Sequence, residues 1–227
     1  MMNEEKEKKV EIHDADSNQV LEHFTRHYGQ PCCERIVDTY YDYQSHKLFE
    51  LNHSIRIRET RYSEHINYKA LFYIPNRKDD PWFVLEFERE LPAGKDDLQP
   101  LSDILEVPFP YLHSKKDFHT FMEKNDFEPI MRLDKERYTF SLESDTNILI
   151  DEVDQLGVFC EIEYTDGSEC QRILDKIPFR TTGVRFGYTN MYAARILGKN
   201  IQDLREKYIN DPAWNILKNE ERYLPTP

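Results

Sequence analysis

Residues 5–12 read EKEKKVEI, and two structures suit them. One is a charged terminus lying in water. The other is a β-strand, in which successive side chains point to opposite faces, so that Glu5, Glu7 and Lys9 share a face. Which of the two holds depends on whether other segments repeat the same partition.

Six further segments alternate with period two: SIRIRE (54–59), HINYKALFY (65–73), WFVLEFERE (82–90), KERYTFSL (135–142), TNILIDEV (146–153) and VFCEIEY (158–164). Divided by face, they give one set made of Arg56 and Arg58, Lys69, Glu86 and Glu88, Lys135 and Arg137, Asp151, and Glu161 and Glu163. Opposite these lie Ile55 and Ile57, Leu85 and Phe87, Ile150, and Cys160, Ile162 and Tyr164. The ExE pairs at 5/7, 86/88 and 161/163 form a faint internal echo, each followed by a helical stretch.

Between the strands the helical signals are short. SNQVLEHFTRHYG (17–29) has Ser17 as a cap, an apolar stripe through Val20, Leu21, Phe24 and Tyr28, and Gly29 as a stop. SKKDFHTFMEKNDF (114–127) begins on Ser114 and gathers Phe118, Phe121 and Met122. ECQRILDKI, TNMYAARILG, IQDLREKY and DDLQPLSDIL read as further helices, the last with Pro100 near its start. With only 7 glycines, tight two-residue hairpins are not the main connectors, and longer loops such as YIPNRKDDPW (73–82) are expected. The pattern predicts a β-rich α+β protein, with one domain over 1–198 and a helical extension over 199–227.

Composition narrows the chemistry. Aromatic residues make up 13% of the 227, enough for a packed core despite 32% charged residues. A net charge of −13 gives no overall positive field to gather nucleic acid or an acidic membrane. The start is charged rather than apolar and no run of 18 apolar residues occurs, so neither a secretory signal nor a membrane span is expected, and a cytoplasmic location is expected with them. The four cysteines lack metal or disulfide spacing and are expected as thiols. The sequence contains no GxxxxGK[ST], GxGxxG or GxSxG motif. His23 and His27, at i and i+4 in HFTRH, lack the glutamate of a zinc-protease helix.

Two placements remain for the charged face. It can lie in water over an ordinary core, where cross-strand ion pairs contribute little. Alternatively the sheet curls into a barrel with the charges inside and the apolar face outside, covered by helices. Dry burial of so many ions costs several kcal/mol for each unpaired one, on the order given by ion desolvation, so such an interior must be wet and filled by ligand. Its ligand would match both signs: basic side chains suit a row of phosphates, and carboxylates suit Mg²⁺ or Mn²⁺, which prefer oxygen donors.

The motifs ExExK at Glu5, Glu7 and Lys9, DTYYD (38–42), IRIRE (55–59), KER (135–137) and ILIDEVDQLGVFCEIE (148–163), in this order, resemble the CYTH domain, also called the triphosphate tunnel metalloenzymes. The resemblance runs from about residue 5 to about residue 190. It implies an eight-stranded antiparallel barrel, the triphosphate tunnel, with helices packed on the outside. It also implies a small-molecule triphosphate substrate held with Mg²⁺ or Mn²⁺. Carried over, Glu5, Glu7, Asp151, Glu161 and Glu163 match metal-binding positions, and Lys9, Glu161 and Glu163 are the candidate catalytic groups. Lys9, Arg56, Arg58, Lys69, Lys135 and Arg137 match phosphate-binding positions, and Glu86, Glu88 and Arg185 join the substrate-binding set. Two departures stand out. Val84 occupies a place where the family carries Arg, and the terminal SY pair is half kept, as Tyr188 after Gly187.

The leading expectation is a metal-dependent triphosphatase acting on inorganic tripolyphosphate, thiamine triphosphate or a nucleoside triphosphate. A class IV adenylate cyclase, releasing pyrophosphate from ATP, has the same motif content. A binding module without turnover is the third expectation, and it would tolerate fewer acid pairs. A monomer or homodimer is expected, with no non-specific nucleic-acid or membrane partner.

Overall fold

The computed structural model describes residues 2–4, 6–73, 82–143, 145–184, 187–195 and 198. Glu5, Arg185, most of the 73–82 loop and the 199–227 extension with its IQDLREKY segment lie outside the described residues. The strands are β1 (Met2–Glu4), β2 (Glu7–Ile12), β3 (Cys32–Tyr43), β4 (His53–Glu59), β5 (Glu64–Tyr73), β6 (Trp82–Glu90), β7 (Phe127–Ser141), β8 (Asn147–Val153), β9 (Gly157–Glu163) and β10 (Thr181–Val184). The helices are α1 (Ser17–Tyr28), α2 (Lys47–Glu50), α3 (Gln99–Leu105), α4 (Lys115–Lys124), α5 (Gly167–Leu174) and α6 (Tyr188–Arg195). None is long and apolar enough to cross a membrane.

The described chain gathers into two compact units. One is built on Asp38–Arg132 together with β1, the other on Lys6–Val37 and Leu133–Met191. The first has strand order β1-β6-β5-β4, followed by β3. The second has β7-β8-β9-β2-β10. Every pair named here with a defined register is antiparallel. What reads in sequence as one N-terminal strand is two: Met2–Glu4 pairs with β6, whereas Glu7–Ile12 pairs with β9. That division, with the four-residue β10, takes the count among the described residues to ten where eight were expected.

In the first unit the apolar faces of β4, β5 and β6 build the core. Ile55, Ile57, Ile66, Tyr68, Leu85 and Phe87 are at most 2% exposed and join Leu101 and Ile104 of α3 and Phe118 and Met122 of α4. The second unit repeats the arrangement. Val10, Ile12, Ile148, Ile150, Cys160 and Ile162 pack with Val20 and Phe24 of α1 and Cys170 and Ile173 of α5. Each such buried aliphatic or aromatic side chain stabilises its unit by about 1.5–3 kcal/mol, and this fixes which face of each strand turns toward the helices.

Local signals set the element ends. Helix α1 is capped by Asp16, not by Ser17 as the sequence suggested. The Asp16 carboxylate accepts from Gln19 N and the Gln19 side chain accepts from Asp16 N, a reciprocal capping box. Ser114 does cap α4, accepting from Asp117 N, and Pro100 sits in the first turn of α3. Asp42 accepts from the backbone N–H groups of Tyr43, Leu48 and Phe49, tying the end of β3 to α2. The β8–β9 connection turns through left-handed Gln155 (φ 62) and Gly157 (φ 111), the second a conformation that side chains resist. This three-residue loop pairs Val153 with Gly157 and fixes the register of everything along β9.

Candidate active site

In the second unit that register lays charges out as a grid. Moving from β7 through β8 and β9 to β2, one row holds Arg137, Asp151, Phe159 and Glu11. The next holds Thr139, Leu149, Glu161 and Lys9, and the next Ser141, Asn147, Glu163 and Glu7. Apolar residues of the same strands lie under α1 and α5, so alternation alone puts this set on the other face. That face is also buried: Asp151 is 0% exposed, Lys135 4%, Glu161 5% and Lys9 8%. A solvated surface of ion pairs is thereby ruled out for these groups.

The buried ions compensate one another. Asp151 receives Arg137 Nε on Oδ1 at 2.7 Å, and Arg137 Nη2 and Lys135 Nζ on Oδ2, both at 2.6 Å. Tyr188 Oη adds a fourth hydrogen bond to the carboxylate, donating to Oδ2 at 3.0 Å. Glu161 lies between Lys9 Nζ at 2.8 Å and Arg137 Nη2 at 2.9 Å. Burial by itself would raise both carboxyls. The cations outweigh it, Lys135 and Arg137 at Asp151, and Lys9, Arg137 and Lys135 at Glu161, and both are held below the usual carboxylate range. The Tyr188 ring lies 4.6 Å from Lys9 Nζ and 5.1 Å from Lys135 Nζ, with Phe159 edge-on behind it.

Glu163 differs. It is opposite Glu7 in the register, and its polar partner is Asn147 Nδ2 at 3.3 Å. Burial, aided by the neighbouring charges of Glu161 and Glu7, pushes its carboxyl up. The register sets Glu7 opposite Glu163 and puts Glu161 one row away, a set of acids on one face with oxygen donors of the kind Mg²⁺ and Mn²⁺ take. Its mutual repulsion is what a divalent cation would relieve, so the residues fit such an ion. Among the described residues no preformed three-ligand metal cluster occurs, and Glu5 lies outside the described set.

The first unit carries a second charged face. Arg58 makes a forked contact to Asp38, Nε to Oδ1 at 2.9 Å and Nη2 to Oδ2 at 3.0 Å. Arg56 Nη1 donates to Tyr40 Oη at 2.7 Å and lies 3.3 Å from Asp38 Oδ2. Asn67 Nδ2 donates to Glu86 Oε1 at 2.6 Å. Burial opposes ionisation of Glu86, yet Lys69, Asn67 and the two arginines hold its carboxyl low. Glu88, near the exposed end, faces His65 Nδ1 at 3.1 Å. Two buried polar atoms on this face, Arg56 Nε and Asn67 Oδ1, have no hydrogen-bond partner among the described residues. A ligand or water would be expected to satisfy them.

Of the sequence-derived residues, Lys9, Lys135, Arg137, Asp151, Glu161, Glu163 and Glu7 come together in one unit. Arg56, Arg58, Lys69, Glu86 and Glu88 come together in the other. Asp38 and Tyr40 were not among the site residues expected from sequence; the alternation of Asp38 and Tyr40 against Tyr41 and Tyr43 was the available signal. Tyr41 and Tyr43 do pack with the core. Sequence reasoning also missed Asn67 and Asn147, neutral amides inside charged strands. All four cysteines are free thiols, as expected.

The chain belongs to the CYTH family, whose domain model matches residues 3–177. No curated protein matches it. A protein from Pyrococcus horikoshii is similar in fold, with 19% identity, a TM-score of 0.62, and coverage of 86% of this chain and 100% of that one. So is a protein from Hippeastrum assigned as an adenylyl cyclase and described as having a dominant triphosphatase activity, at 15% identity, TM-score 0.56, and coverage of 87% and 97%. A protein from Bacillus halodurans assigned as an adenylate cyclase shares 16% identity, TM-score 0.54, and coverage of 84% and 98%. These likenesses carry the fold, and it is the α+β fold that the sequence resemblance implied.

Proposed function

We propose that this protein is a divalent-metal-dependent triphosphatase. The observation that carries the reading is the buried centre of the second unit, where Lys9, Lys135 and Arg137 meet Asp151, Glu161, Glu7 and Glu163 on strands backed by an apolar core. A centre of this composition offers cations for phosphate oxygens and carboxylates for a metal and a water. Glu7 and Glu161 would hold Mg²⁺ or Mn²⁺, which neutralises phosphate charge and lowers the cost of attack.

Glu163, whose carboxyl burial pushes up, suits the proton from a water attacking the terminal phosphorus in line. As the new O–P bond forms, the bridging O–P bond breaks and its electrons leave on a diphosphate, on which Lys135 and Arg137 stabilise the charge. Lys9, beside both Glu161 and Glu7, orients the water or stabilises charge on the phosphoryl oxygens. Asp151, with both oxygens taken, positions Lys135 and Arg137 for that task. The first unit has a basic face of its own, Arg56, Arg58 and Lys69, that suits phosphate oxygens, and Arg56 Nε, without a hydrogen-bond partner among the described residues, is one place for them.

The test is a panel of tripolyphosphate, thiamine triphosphate, ATP and GTP with Mg²⁺ or Mn²⁺, run beside Glu163→Gln and Lys135→Ala. Turnover should fall by at least about 100-fold in each variant, the scale of a lost acid–base or charge-stabilising group. Full activity in either would remove that residue's assignment. The Hippeastrum protein favours hydrolysis, while the Bacillus halodurans assignment keeps cyclisation as a second reading. Phosphate plus a diphosphate among the products supports the first, and pyrophosphate plus a cyclic nucleotide the second.

A further inference from the structure

Val84, the apolar residue where the sequence pattern called for arginine, acquires a meaning from the register of its strand. On the charged face of the first unit, β4, β5 and β6 align in rows. Arg58, His65 and Glu90 form one; Arg56, Asn67 and Glu88 the next; Ser54, Lys69 and Glu86 the third. The row after that pairs Leu71 with Val84. Alternation keeps both on the charged face. The burial pattern agrees, because Ala70, Phe72 and Leu85 between them are buried in the core, whereas Leu71 and Val84 are only partly covered and stand outside the core cluster. The face therefore changes from guanidinium through ammonium to hydrocarbon over four rows.

Taking the triphosphatase reading as given, we propose that Leu71 and Val84 select a triphosphate carrying an apolar or aromatic organic group over inorganic tripolyphosphate. The physical argument concerns the end of the row. A bare tripolyphosphate presents charged oxygens along its whole length and gains nothing from a hydrocarbon pair, which would strip water from an oxygen without replacing its hydrogen bonds. An ester presents phosphates to Arg56, Arg58 and Lys69 and an uncharged group beyond them. Covering Leu71 and Val84 with that group removes apolar surface from water. An arginine at residue 84 would reverse the preference.

The experiment compares tripolyphosphate with thiamine triphosphate and ATP on the full chain, for wild type, Val84→Arg and Leu71→Lys, recording kcat/KM and, by titration calorimetry, Kd. Wild type should favour at least one ester over tripolyphosphate by about tenfold or more, the discrimination a small apolar contact supplies. Each variant should lower that ratio by a similar factor, mainly by improving tripolyphosphate, while thermal melting confirms folding. A wild-type ratio of one or below, or a ratio unmoved in both folded variants, overturns the proposal. Binding with the expected ratio but no hydrolysis would instead overturn the triphosphatase reading and leave this inference standing. Failure to bind any triphosphate would overturn both.

Discussion

Four donor atoms converge on the two oxygens of Asp151, and the residue has no exposure to water. Its carboxyl and that of Glu161 titrate lower in the folded protein than in the unfolded chain. A depressed carboxylate contributes stability that is complete above its unfolded value, about 4, and is lost as pH falls through its folded value. Thermal melts between neutral and strongly acid pH should therefore hold steady to about pH 4 and then decline. Asp151→Asn should lower stability by about 3–5 kcal/mol at neutral pH, since it leaves Lys135 and Arg137 buried against a neutral amide. The same variant should make the acid decline shallower. A variant that melts like wild type at pH 7 would show that the ion pairs are not what these oxygens are for. At this scale the sequence revealed which residues share a face, because two-residue periodicity is a local property. It did not reveal who meets whom: the Arg58–Asp38 fork joins residues 20 apart, and DTYYDY carries nothing local that assigns Asp38 to arginine rather than to water.

Strand and helix ends depend on side chains with one job each. Asp16 accepts one backbone N–H of α1, and Asp16→Ala should cost about 1 kcal/mol in denaturant unfolding, the usual scale of a lost N-cap. Asp42, which serves three backbone N–H groups from a buried position, should cost more as Asp42→Ala, about 2–3 kcal/mol, because donors around it are left unsatisfied. Equal losses in the two variants would contradict that ranking. Both aspartates stand in sequence where several polar residues run together, DADSN and DYQS, and propensity alone does not distinguish the capping residue from its neighbours. Most strands were legible because both of their faces have a character. The first part of β7, FEPIMRLD, was not, since Pro129 and mixed polarity conceal its period.

Each unit has its own apolar core and its own internally compensated charges, so folding does not wait on a ligand. Removing divalent metal with a chelator should abolish turnover, lower the melting temperature only slightly, as loss of a ligand bound to the folded state does, and leave far-UV circular dichroism unchanged. A large drop in melting temperature would make the metal structural. The sequence read as one uninterrupted domain because no linker separates the units. Two of the chain's passages from one to the other fall within β3, at Val37–Asp38, and within β7, at Arg132–Leu133, where composition does not change. The two-sided burial of these strands carries a last consequence, for how such a chain can vary. Inserting or deleting a single codon inside GVFCEIE would exchange every inward and outward side chain beyond it, driving Glu161 and Glu163 among isoleucines and delivering Cys160 and Ile162 to the ions. Length changes in a lineage of such proteins should accordingly collect in connecting loops and be absent from β8 and β9.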